Sequence, residues 1–127
     1  MEIIDDPIIG FWLFIISKHF VCEFVLQTNY QAQNKGTYGH PAGLIHAAIT
    51  ITGTFVALIL TPHSIGGETI VWILASEAII HYHQDWAKIK LSNAIGIEVL
   101  SERFWRAFGA DQYLHFLFYI FVYWYIF

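Results

Sequence analysis

At 127 residues the chain has room for one domain. It is 57% hydrophobic, 18% aromatic and 13% charged, where a soluble domain carries about a quarter charged residues, which excludes an ordinary water-facing surface. The net charge of −4 is spread along the chain, so no nucleic-acid footprint is present.

The chain opens on Met1–Pro7, which is acidic where a cleavable signal would be basic. The first apolar run is therefore expected to be kept as an anchor. A membrane-spanning helix needs about 20 mainly apolar residues, and four stretches qualify: 8–27, 42–61, 69–90 and 110–127. The first opens after Asp5, Asp6 and Pro7, the second behind Pro41, the third after Gly66-Gly67 and the fourth after Gly109. Asn29–His40 reads as a polar loop. Leu91–Phe108 mixes Ile95, Ile97, Val99, Phe104 and Trp105 with Glu98, Glu102, Arg103 and Arg106, a pattern expected of an amphipathic segment lying in the interface. The expected fold is a single all-α domain, a bundle of four transmembrane helices with that interfacial segment between the third and fourth. Its first partner is the lipid bilayer. Cys22, alone in an apolar run, reads as a small buried hydrophobe.

Basic residues orient the bundle. With the N-terminus outside, Lys35 falls in the first inner loop, while Lys88, Lys90, Arg103 and Arg106 fall at or in the second. Lys18 snorkels from the inner half of span one. Pro62–Glu68, on the outer side, carries no Lys or Arg.

On this frame the polar residues of four helices meet at one depth near the inner face. His19 and Glu23 come from span one, His46 from span two, His81 and Asp85 from span three, Asp111 and His115 from span four. Intramembrane ionisable groups cost several kcal/mol, on the order of 3 in insertion assays, unless paired or metal-bound, and they mark function. His19/Glu23, His81/Asp85 and Asp111/His115 are i, i+4 pairs, whose side chains share a helix face. Glu77 lies one turn before His81 and extends its stripe. Imidazole and carboxylate donors without thiolates suit one or two divalent ions, zinc first, then iron or manganese. The structural alternative is a metal-free network of His–carboxylate hydrogen bonds. His40 and His63 fall in loops, and His83 points to another face than His81.

The run His19-x-x-x-Glu23-Phe24-x-Leu26-Gln27-Thr28 resembles the opening signature of a family of small bacterial and phage membrane proteins, domain of unknown function 3307. That family also shows a later His on the second helix, His-x-x-x-Asp-x-x-Lys on the third and Asp-Gln-x-x-His on the fourth. His46, His81-x-x-x-Asp85-x-x-Lys88 and Asp111-Gln112-x-x-His115 supply these in order. Glu23 departs from the family's usual Asp. The resemblance implies a bacterial inner-membrane location and draws Gln27, Lys35, Lys88 and Gln112 towards the site. Lys88 lies two turns beyond His81, placed either to bind a phosphate or carboxylate head group or to anchor the helix at the inner face.

The leading expectation is a membrane-embedded, metal-dependent hydrolase acting on a membrane-associated or phosphate-bearing substrate, with Glu23 or Glu77 as general base and Lys88 in the catalytic set. Leu91–Phe108 would serve as its lid or entry platform. The alternative is a non-enzymatic accessory subunit of a larger membrane complex, or a homo-oligomer, in which the polar cluster holds helices together. Ion transport is disfavoured because the outer halves of the spans lack polar residues beyond Thr50, Thr52 and Thr54. Di-iron oxygen chemistry ranks below hydrolysis because the His count is low.

Overall fold

The computed structural model describes residues 5–127, so the first four residues of the acidic Met1–Pro7 stretch lie outside the described residues. The described residues are helical throughout, with no strand among them. Helix α1 covers Pro7–Phe20. Asp6 caps it by accepting from the Ile8 and Ile9 amides at 2.8 and 3.1 Å, and Pro7 stands where its missing amide costs nothing. The helix then widens into a π-helical turn, Val21–Val25. A reciprocal capping box between Thr28 and Gln31 starts the short helix α2, Asn29–Asn34. Helix α3 spans Pro41–Leu60, with the His40 imidazole accepting from the Ala42 amide.

Helix α4 runs from Gly67 to Ala94, and α5 from Glu102 to Ile126. Gly96, at φ 64°, ends α4 in a left-handed turn in which the Gly96 and Ile97 amides close back on Asn93 and Ser92. Ser101 accepts from the Phe104 amide to start α5. Leu91–Phe108 is therefore not a separate interfacial element. It is the last turn of α4, a short loop and the first two turns of α5, because Gly96 and the Ser101 cap fix the break inside it. The helix expected from residue 110 begins eight residues earlier, at Glu102. Asn29–His40 is likewise not a plain loop, since its Thr28–Gln31 box nucleates α2.

Two helices, Pro7–Val25 and Pro41–Leu60, are long and apolar enough to cross a membrane. α1 packs on α3, α3 on α4, and α4 on α5, with α2 against α3. Every long helix has one apolar and one polar end, and the ends match in antiparallel order. Phe11, Ile15, Ala57, Leu58, Ile73, Tyr119 and Val122 form the apolar core. Glu23, His46, His81, Asp85, Asp111 and His115 are buried at the opposite end. On α4 the buried residues Ile73, Glu77, His81 and Asp85 follow one another at four-residue steps, so one stripe of one helix passes from core to cluster. The outward faces are apolar instead, with Leu13, Ile16, Phe20, Ile59, Val71, Trp72, Phe121 and Trp124 all exposed.

Glycines set two close approaches. A β-carbon at Gly53 would lie 2.6 Å from the Cys22 sulfur and 2.8 Å from the Lys18 side chain, so the bare backbone of α3 makes room there for these two side chains. One at Gly36 would overlap Ile89. The chain after α2 thus lies directly on α4, and this carries Lys35 inward.

Candidate metal centre

Glu23, His46, His81 and Asp85 form one buried group with a ligand atom from each within 4.8 Å of the others; Asp85, Asp111 and His115 form a second. Asp85 belongs to both. These groups of His, Asp and Glu can hold a metal ion. In the first group His46 Nε2 stands 3.4 Å from Glu23 Oε2 and 3.3 Å from Asp85 Oδ2. His81 Nε2 stands 3.3 Å from Glu23 Oε1 and 3.5 Å from Asp85 Oδ2. An ion with tetrahedral bonds of about 2.0–2.2 Å holds its ligand atoms about 3.3–3.6 Å apart; the four imidazole-to-carboxylate separations are of that size, with His46 and His81 approaching different oxygens of Glu23.

The hydrogen bonding separates the two groups. Neither ring nitrogen of His46 or His81 has a hydrogen-bond partner, and Asp85 Oδ1 has none. Buried polar atoms are normally satisfied, and these unpartnered atoms are concentrated in the group that can hold an ion. Asp111 is saturated instead. Its carboxylate accepts from Lys88 at 2.8 Å, Gln112 at 3.1 Å and Gln84 at 3.2 Å. His115 lies 3.7 Å from Asp111, its Nε2 unpartnered.

His19 stands outside both groups. Its Nε2 meets the Gln112 side-chain oxygen at 2.7 Å and its Nδ1 meets the Tyr119 hydroxyl at 3.0 Å. The i, i+4 reading of His19 with Glu23 assumed a regular α-helix. The π turn, with the Leu26 amide on the Val21 carbonyl at 2.8 Å, inserts an extra residue and turns Glu23 away from His19. π turns are rare and recur at functional sites. Here the turn aims Glu23 at His46 and His81, with the Thr50 hydroxyl 3.5 Å from its Oε1.

Glu77 is buried next to the first group. Lys18 Nζ donates to its Oε1 at 2.6 Å and to the Tyr119 hydroxyl at 3.0 Å, while Glu77 Oε2 has no partner. Lys18 therefore does not snorkel. Lys35 leaves the loop expected for it and donates to Asp85 Oδ2 at 2.8 Å, and Lys88 is held by Asp111. Three of the six basic residues from which an orientation was expected are thus spent on buried carboxylates, and Arg106 pairs with the exposed Glu102 at 3.2 Å. Lys18, Gln84 and Tyr119 belong to the cluster's surroundings although sequence spacing did not single them out. An unaccompanied lysine in an apolar helix was the available signal for the first; Gln84, three residues past His81 and four before Lys88, lay on the same stripe. Of the residues drawn in by resemblance, Gln112 and Lys88 touch the second group and Lys35 the first, whereas Gln27 keeps an unpartnered Oε1. Outside the cluster His83 bonds the Tyr38 hydroxyl, and His63 packs on Phe127. Cys22 is buried with its thiol 3.6 Å from the Ile49 carbonyl.

No curated protein and no solved structure matches the chain. The family described as protein of unknown function (DUF3307) matches residues 11–127, a stretch that holds every residue of both groups. The chain belongs to that family.

Proposed function

We propose that the chain is a four-span membrane protein whose first group holds one divalent ion, and that it is a hydrolase acting at the inner face of a bacterial membrane. The observation that carries this reading is the close approach of the His46 and His81 nitrogens, which have no hydrogen-bond partner, to the Glu23 and Asp85 carboxylates. α4 and α5, at 28 and 25 residues, exceed the length of about 20 residues needed to cross, and the apolar outward faces suit lipid. Lys90, Arg103 and Arg106 flank the α4–α5 connection at the polar end, which supports placing that end in the cytoplasm.

Charge favours one ion over two. Glu77, Asp85 and Asp111 each face a lysine, and Glu23 does not. With neutral imidazoles the cluster carries one net negative charge, which a single divalent ion turns to one positive. A second would place three positive charges in a desolvated interior, at great cost. Four oxygen and nitrogen ligands favour zinc, with iron or manganese next.

A bound divalent ion supplies Lewis acidity and lowers the pKa of a coordinated water. The protein supplies the proton acceptor. A void of about 10 Å³ lies between Glu77, His81, Gln84, His115 and Tyr119, room for roughly one water molecule. Glu77 borders it, its Oε1 fixed by Lys18 and its Oε2 free to take a proton. Lys35 holds Asp85 through Oδ2, the oxygen that also faces His46 and His81, and leaves Oδ1 free. Elemental analysis of protein purified under metal-replete conditions is expected to find one ion per chain, and none in His81→Ala or His46→Ala. A folded, metal-free protein under those conditions would overturn the reading.

A second reading, an accessory subunit of a larger membrane complex, draws support from the closure of the first group: all four side chains are buried, as in structural metal sites. The two readings part on Glu77→Gln combined with Lys18→Met, which leaves no buried charge unpaired. A hydrolase keeps its ion and loses at least 100-fold in turnover; a structural subunit keeps both its ion and its complex.

A further inference from the structure

A cavity of about 500 Å³ opens between the C-terminal half of α4 and the N-terminal half of α5, within the range of about 300–1,000 Å³ usual for small-molecule sites. Along α4 its lining changes from Gln84 and Lys88 to Leu91 and Ile95, and Asp111 and Leu114 face them from α5. The polar end adjoins the metal centre, because Asp111 shares the second group with Asp85. Lys88 has a side chain 25% exposed, against 4% for Lys18 and 6% for Lys35. It is the one cation of the three that reaches open space, and it lines the cavity together with Asp111.

We propose that this cavity is the substrate site, and that the substrate is a single-chain alkyl phosphate ester with its tail along Leu91, Ile95 and Ile97 and its phosphate beside Lys88 and Gln84. The assignment rests on the one-ion reading above, because the ion leaves the cluster with one positive charge that calls for an anion. A fatty carboxylate would answer the charge and offer no bond to hydrolyse. A phosphate ester provides both. Water adds its oxygen to phosphorus, the ester P–O bond opens, and the proton lost by water ends on the released alcohol. Lys88 keeps its bond to Asp111 and turns its remaining N–H donors to the phosphate, so no buried carboxylate loses its cation.

The test uses full-length, zinc-loaded protein in an uncharged maltoside detergent, with binding of dodecyl phosphate, dodecanol and inorganic phosphate measured calorimetrically and zinc measured in the same samples. Dodecyl phosphate is expected to bind at least tenfold more tightly than either of the others. Lys88→Met should weaken dodecyl phosphate at least tenfold. Ala110→Phe, which narrows the cavity without touching a charged group, should reduce it to the level of inorganic phosphate. Equal binding of dodecanol would make the cavity a plain lipid crevice, and indifference to Ala110→Phe would place the ligand elsewhere; either overturns the proposal. If the preference and its dependence on Lys88 and Ala110 hold in protein free of zinc, the site stands and the metal reading falls. If zinc stays at one ion per chain and the preference is absent, the metal centre stands and the substrate site falls.

Discussion

The two ends of the bundle are built on opposite principles. At one end Phe11, Ile15, Leu58, Tyr119 and Val122 fill the interior with apolar volume. At the other, Glu23, His46, His81, Asp85, Asp111 and His115 fill it with ionisable groups. Between them Lys18, Glu77 and Tyr119 form a junction, the lysine reaching from α1 to α4 and α5. In water the apolar end would stabilise and the polar end would need compensation. In lipid the first gains little from burial, because the hydrocarbon outside is as apolar as the core within. The polar end becomes the part that holds helices together, since its groups have no other partners at that depth. Stability in this chain should therefore respond more to charge and metal than to side-chain volume, the reverse of a soluble bundle.

The largest effect is expected at the junction. Lys18→Met leaves Glu77 buried and unpaired, and loss of one partner from a buried pair costs about 3–5 kcal/mol. Chemical unfolding in detergent should show it, and Lys18→Met combined with Glu77→Gln should recover most of the loss. If the double variant is no more stable than the single one, the pair does not join the two ends.

The metal increment comes next. Removing the ion by chelation should lower stability by about 4 kcal/mol when free metal had stood at about 1,000 times its dissociation constant. The same shift should persist in Leu58→Ala and vanish in Asp85→Asn. A Leu58→Ala variant that loses the metal shift would show that the two ends do not act separately.

Smaller effects test the packing itself. Gly53→Ala forces Lys18 or Cys22 to move, at an expected cost of about 1–3 kcal/mol, as for other overpacked interiors. Because it disturbs Lys18, it should also weaken the junction, so its effect should shrink in the Lys18→Met background. Leu58→Ala should cost about 1–2 kcal/mol, less than the roughly 2–5 of a soluble core, because only packing and not transfer from water is lost. A cost above that range would place this end of the bundle in water.

The spacing of the polar residues was legible because α-helical geometry is local. His81 and Asp85 share a face whatever surrounds them, and so do Asp111 and His115. His19 and Glu23 carry the same spacing, yet the structure sends them to different partners. The i→i+5 turn at Val21–Val25 cannot be read from spacing that assumes regular turns. The lysines were misplaced for a related reason. Hydropathy treats a lysine near a helix end as an anchor to the interface, and only a facing carboxylate on another helix, as Glu77 is to Lys18 and Asp85 to Lys35, turns it inward.

By itself the sequence determined an all-helical chain, the places where its helices begin and end to within a turn at most boundaries, and the residue types that meet at the polar end. Those follow from periodicity, capping and composition, which act over a few residues. Only the tertiary structure decided that Asp85 serves two groups, that Lys18, Lys35 and Lys88 pair with three of the four carboxylates, and that the His46 and His81 nitrogens come close to Glu23 and Asp85 without forming a hydrogen bond. Such facts depend on which side chains from distant helices arrive within about 3.5 Å of one another, and no local rule fixes a distance between helices.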